Sequence, residues 1–195
     1  MRYKEFNTNN VLEKCIFLFW EHGFSSCSIN DIVKKTHVNR FSLYNEFENK
    51  DTILLSALNL YKERYSNKRI AILNQNKPLR EVLKEFYFSY LTEDDKHPPG
   101  CFIIHISTEL ADDNEIIKNK LDAYLLEIEE KIGTLLNKYD ETKKQRKFSA
   151  KHLTGLFCNS MCFCLIQSPK EQRIYIENGL NLILSKTYTN GKNFR

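Results

Sequence analysis

Apolar residues recur at steps of three and four along almost the whole chain, which predicts helices separated by short polar breaks. Leu12, Cys15, Ile16 and Phe19 share one face of a first helix over about residues 3–22. Gly23 stands where that helix needs a residue tolerant of positive φ to end. Ile29, Ile32 and Val33 then mark an apolar helical face of about one and a half turns, with Ser28 as its N-cap and Asp31 completing an acidic capping box. The pattern breaks at Thr36-His37-Val38. Asn39 offers a second N-cap, and Leu43 and Phe47 the next apolar face. Two short capped helices across a three-residue turn describe a helix-turn-helix.

Beyond it, a long fourth helix starts at Asn49 or Asp51 and runs towards Leu73, burying Ile53, Leu54, Ala57, Leu58, Tyr61 and Tyr65. A fifth covers about 79–91, with Val82, Leu83, Phe86, Tyr87 and Tyr90 inward. Residues 92–100 are polar and end in Pro-Pro-Gly, a loop. A sixth helix follows over about 101–110. The seventh is long, with Ile117, Leu121, Tyr124, Ile128, Ile132, Leu135 and Tyr139 on one face. The basic run 143–147 reads as a hinge before two final helices over about 149–167 and 169–186, the second opening on Pro169. The fold class is therefore all-α, with about nine helices: a three-helix unit over 1–48 and a larger helical body over 49–195.

Composition supports this reading, since only 6 Gly and 4 Pro punctuate 195 residues. A net charge of +4 permits a nucleic-acid partner without demanding one. No apolar run approaches the ~18 residues of a membrane span, so a cytoplasmic protein with no membrane partner is expected. The six cysteines are then reduced, and no Cys-x-x-Cys pair suggests a metal. No metal and no cofactor are expected. With no phosphate-binding glycine loop, helical His-Glu-x-x-His or nucleophile elbow, a helical enzyme is the less favoured alternative.

The run His22-Gly23-Phe24, Ser28-Ile29-x-Asp31-Ile32, Val38-Asn39-x-x-Ser42-Leu43-Tyr44-x-x-Phe47-x-x-Lys50 resembles the N-terminal DNA-binding domain of TetR/AcrR-family transcriptional regulators. The resemblance covers about the first quarter of the chain; the remainder is similar in length and helical character only. It implies a ligand-responsive regulator, most simply a repressor, that binds a palindromic operator in double-stranded DNA as a homodimer and is released by a small-molecule effector. Two positions depart from the family pattern. His37 stands where glycine is usual, and Phe41 where a small residue or proline is usual.

In a helix-turn-helix the second helix enters the major groove N-terminus first, making Asn39, Arg40 and Phe41 the candidates for base contact. Arginine can fork onto guanine and an aromatic ring can touch a thymine methyl, while Asn39 fits helix capping equally well. Ser28, Lys34, Lys35, Ser42, Tyr44, Asn45 and Lys50 are placed for phosphates; for Tyr44 and Lys50 the resemblance implies the same. Between Ser28 and Asn45, Lys34, Lys35 and Arg40 face only one anion, Asp31.

Leu153, Leu156, Phe157, Met161 and Leu165 form one stripe of the last two helices, and Ile176, Leu180, Ile183 and Leu184 another. They read as a dimer interface by the family's four-helix-bundle pattern, with an intrachain core as the alternative. Phe86, Tyr90, Phe102, His105, Tyr124, His152, Phe157 and Met161 are candidates to line an effector pocket. Cys101, at a helix start, is a candidate oxidant or electrophile sensor, which would make the protein a redox-sensing repressor; simple packing is the alternative.

Overall fold

The computed structural model describes residues 6–91, 98–110, 114–139, 143–164 and 166–189. Every regular element among them is helical: α1 Thr8–His22, α2 Ile29–Thr36, α3 Arg40–Phe47, α4 Lys50–Tyr61, α5 Asn67–Ile70, α6 Leu79–Phe88, α7 Phe102–Leu110, α8 Glu115–Leu136, α9 Lys143–Phe163 and α10 Pro169–Thr189. The fold is all-α, as the periodicity implies. The expected long fourth helix is α4 continued through a π turn, Lys62–Ser66, the single turn α5, and a 3-10 turn, Ala71–Asn74. The expected basic hinge at 143–147 is instead the start of α9, because Lys, Gln and Arg are good helix formers and no breaker interrupts them. The polar loop expected at 92–100 lies mostly outside the described residues, as does the expected helical start before Phe6.

Two compact units form. The first takes residues 1–67 together with 102–118, so α7 packs against α1 and α4 despite lying far from them in sequence. The second takes 68–101 and 119–195. Compactness places α4 and α7 in the first unit, because their apolar faces close its core. In that core Trp20, Tyr61 and Phe102 pack as a triangle, with ring centroids 5.4–5.8 Å apart.

The second unit is organised around another aromatic group. Phe86 and Tyr90 of the α6 segment meet Phe157 of α9 at 5.3 and 5.0 Å, and the Tyr87 hydroxyl donates to the Leu153 carbonyl at 2.6 Å. The stripes expected at a dimer interface are used here. Leu153, Phe157, Ile176 and Leu180 are fully buried, Leu156, Met161 and Leu184 nearly so, and Ile183 is half-buried. Leu165 lies outside the described residues. Apolar periodicity marks a buried face, and α9 and α10 bury theirs against each other and, for α10, against α6. What they leave outside is another surface: His152, Gly155, Asn159 and Cys162 on α9, Ile174, Asn178 and Leu182 on α10, and Ile166 between them.

Candidate nucleic-acid interface

Local chemistry fixes the helix-turn-helix. The α1 helix ends at Gly23, whose φ of 80° suits a residue without Cβ, and whose N–H still bonds the Phe19 carbonyl. Ser28 and Asp31 form the expected capping box: the Ser28 hydroxyl donates to Asp31 at 2.6 Å, and the Asp31 carboxylate also accepts the Ser28 N–H at 2.9 Å. These bonds hold the Asp31 carboxyl below its usual range. Inward, α2 presents Ile29, Ile32 and Thr36.

The turn follows from His37 and Thr36. His37 takes the left-handed conformation, φ 62° and ψ 20°, and its N–H reaches the Val33 carbonyl at 2.8 Å. Histidine thus occupies the position glycine usually fills in the family pattern, at modest cost. The Thr36 hydroxyl donates to Ile32 O at 2.7 Å and accepts the Val38 N–H at 3.3 Å, which ties the helix end to the turn. Asn39 Oδ1 then accepts the Ser42 N–H at 2.8 Å and caps α3. Leu43 and Phe47 anchor α3 in the core.

Outward, the first turn of α3 carries Arg40 and Phe41. Phe41 is 66% exposed, a large apolar side chain with no apolar cover. The Arg40 guanidinium lies 5.4 Å from the Tyr44 ring centroid and donates to the Tyr44 hydroxyl at 3.3 Å, so the two side chains lie together one turn apart. Tyr44 and Asn45 continue this exposed side, and Lys34 and Lys35 are exposed on α2. Lys34 lies 3.9 Å from Asp31, a loose surface pair. Ser42 is half-buried with its N–H given to the cap. The Ser28 hydroxyl is committed to the capping box.

Lys50 is placed differently from the expected phosphate contact. Its ammonium donates to the carbonyls of Phe24 and Cys27 at 2.9 and 2.8 Å and lies 4.1 Å from the Phe24 ring centroid. It stitches the α1–α2 loop onto the start of α4. A residue the sequence reading left without a role meets the same loop from α7: the Glu109 carboxylate accepts the N–H of Phe24 at 2.9 Å and of Ser25 at 2.6 Å. Burial would raise the Glu109 pKa, but the bonds from Ser25 and Phe24, with His105 nearby, outweigh it and leave the carboxyl below its usual value. Its only sequence signal is a lone carboxylate in the otherwise uncharged, largely apolar run 102–110.

The eight candidate effector-pocket residues divide between the two units. Phe86, Tyr90, Phe157 and Tyr124 are packed inside the second unit, with the Tyr90 and Tyr124 hydroxyls 3.0 Å apart. Met161 is buried in the same unit, and His152 is exposed on α9. Phe102 and His105 belong to the first unit. Cys101 does precede α7 directly, but it is only 2% exposed, with its sulfur 3.6 Å from the Tyr124 hydroxyl. A thiol sensor needs an accessible thiolate, and this site is closed. Burial also pushes the Cys158 thiol up to about 11 and that of Cys164 to about 12. Among the described residues no group of three His, Cys, Asp or Glu could hold a metal ion. Nor is any described helix long and apolar enough to cross a membrane.

Residues 12–57, which take in most of α1, all of α2 and α3 and the first part of α4, match the family of bacterial regulatory proteins called the tetR family. The N-terminal module is thus similar to that of the tetR-family regulators. The chain is 32% identical over 124 residues to the HTH-type transcriptional repressor ComR of Escherichia coli, a match that takes in 62% of this chain and 59% of ComR. It thus spans under two thirds of that relative's length. It is 24% identical over 156 residues to IcaR of Staphylococcus aureus, the biofilm operon icaADBC negative transcriptional regulator, covering 78% of this chain and 80% of IcaR. The fold likeness extends further. A cysteine mutant of the TetR family transcriptional regulator CifR, solved with 26-bp double-strand operator DNA, superposes over 92% of this chain and 98% of its own, with a TM-score of 0.81 at 17% identity. These relatives are transcriptional regulators, not enzymes.

Proposed function

We propose that the protein is a sequence-specific DNA-binding repressor that acts as a homodimer on a palindromic operator. The observation that carries the reading is the exposed first turn of α3. There a capped helix presents Arg40 and Phe41 to solvent, with Lys34, Lys35, Tyr44 and Asn45 beside them, on a TetR-family module. Arg40 and Phe41 supply base contacts, and Asn39, while capping α3, stands beside them. Lys34, Lys35, Tyr44, Asn45 and Ser42 face phosphates. Lys50 and Ser28 hold the module together. Repression is favoured because ComR is a transcriptional repressor and IcaR a negative transcriptional regulator. Two half-sites require two copies, and the α9–α10 surface carrying Ile166, Ile174 and Leu182 is the apolar face available for pairing. Release by a small-molecule effector completes the reading, supported by family likeness and by the helical body. A mobility-shift titration with duplex DNA from the gene's own promoter region tests it. A discrete complex that survives excess unrelated DNA at moderate salt is expected; smearing equal for both duplexes overturns the reading.

A further inference from the structure

We infer that Glu109 is a positioning residue for the DNA reader: from α7 it fixes the α1–α2 loop and so sets where α2 and α3 begin. The inference rests on the DNA-reading function proposed above. The loop has a backbone problem that Glu109 solves. The Gly23 N–H is satisfied by the last turn of α1, and the Cys27 N–H by the Phe24 carbonyl. Between them, the N–H groups of Phe24 and Ser25 belong to no helix, and both point at the one carboxylate. A Cβ at Gly23 would lie 3.4 Å from that carboxylate, an ordinary contact, so it is the positive φ of the turn that favours glycine there.

The loop is held from its other side too. Lys50 takes the Phe24 and Cys27 carbonyls, and the Phe24 ring packs edge-on against Phe19 at 5.3 Å. Donors of the loop therefore go to an anion on α7, and acceptors to a cation on α4. One residue after Cys27 stands Ser28, the cap of α2. The near end of α7 is anchored by Phe102 against Trp20 and Tyr61, and Glu109 lies two turns on, about 10 Å along the helix. A shift of α7 along its axis would pull on the two loop amides. Glu109 touches no DNA in this arrangement; it acts through the loop.

The test uses the full chain and two variants, Glu109→Gln, which keeps the shape but loses the charge and one acceptor, and Glu109→Ala. Three quantities are read: affinity for operator duplex, affinity for unrelated duplex of equal length, and amide hydrogen exchange of residues 23–27. Positioning predicts faster exchange at Phe24 and Ser25, with operator affinity lowered about tenfold for Gln and further for Ala while unrelated DNA binds as before. Unchanged exchange overturns the clamp. Faster exchange with an unchanged ratio of the two affinities leaves Glu109 structural and overturns the positioning role. Should the unaltered protein fail to distinguish operator from unrelated DNA, the DNA-reading function itself fails and this inference falls with it. If Glu109→Ala does not fold, the Gln variant alone decides.

Discussion

On the proposed function, single side chains divide the module into those that would read DNA and those that hold the fold. Arg40→Ala is expected to cost about 1–3 kcal/mol of discrimination between operator and non-operator DNA while leaving non-specific binding nearly unchanged. Competition titrations measure both, and equal loss of the two would make Arg40 a phosphate contact. Lys50 predicts the opposite pattern. Lys50→Met takes a charged donor from two loop carbonyls, of which that of Phe24 keeps the Cys27 N–H, costing about 1–3 kcal/mol of stability by urea denaturation, whereas Lys34→Met, at an exposed and loosely paired lysine, changes stability by less than about 0.5 kcal/mol. Glu109 adds a pH signature. Its carboxyl is depressed in the fold from the ordinary 4.5, so its stabilising contribution is complete above that value and fades as pH falls through the lower folded one. The stability difference between the unaltered protein and Glu109→Gln should therefore be flat near neutrality and shrink in acid below about pH 4.5. A difference that grows there would contradict the assignment. None of these holding roles was open to sequence reading: Glu109 meets partners 84 and 85 residues away, and Lys50 meets carbonyls whose direction only the folded loop defines.

At the scale of helices, the sequence reading was strong where the determinants are local and weak where they are not. The stop at Gly23, the Ser28–Asp31 box, the left-handed His37 and the Asn39 cap are all set within four residues, and each was legible. The apolar stripes of α9 and α10 were legible as stripes, but their partner was not. Periodicity says that Leu153, Phe157, Ile176 and Leu180 are covered without saying by what, and α6 with the neighbouring helix covers them in one chain. Gly179 shows how close that packing is. A Cβ there would lie 2.6 Å from Leu156 Cδ1, so α9 and α10 approach because one of them lacks a side chain. Gly179→Ala is expected to destabilise the protein by about 1–3 kcal/mol through overpacking. Adding Leu156→Ala should relieve part of that, giving a non-additive double-mutant cycle by thermal or urea unfolding. Strict additivity would show that Leu156 moves aside freely. Gly155, with nothing within 4 Å of its would-be Cβ, should accept alanine without loss in the isolated chain.

For the whole molecule, the decisive quantity is the number of readers on one DNA. On the proposed function a single α3 would offer about two or three base contacts, whereas specific sites usually involve two half-sites about one helical turn apart. The surface proposed for pairing follows from subtraction: once the expected stripes are assigned to the core, Ile174 at 53%, Leu182 at 58% and Ile166 at 76% exposure remain as apolar side chains facing outward on and between α9 and α10. Ile174→Glu with Leu182→Glu would place carboxylates where two copies meet, repelling one another and losing apolar burial, without disturbing a buried residue of either helix. Sedimentation should then show a monomer in place of a dimer, with helical content by circular dichroism unchanged. Operator affinity should fall steeply, while the salt dependence of the residual binding flattens, because the slope of log K against log salt scales with the phosphates neutralised and one reader neutralises about half as many. A variant that stays dimeric would move the pairing surface elsewhere. A monomer that binds operator as tightly as the parent would remove the dimer from the mechanism and leave a single reader to account for specificity.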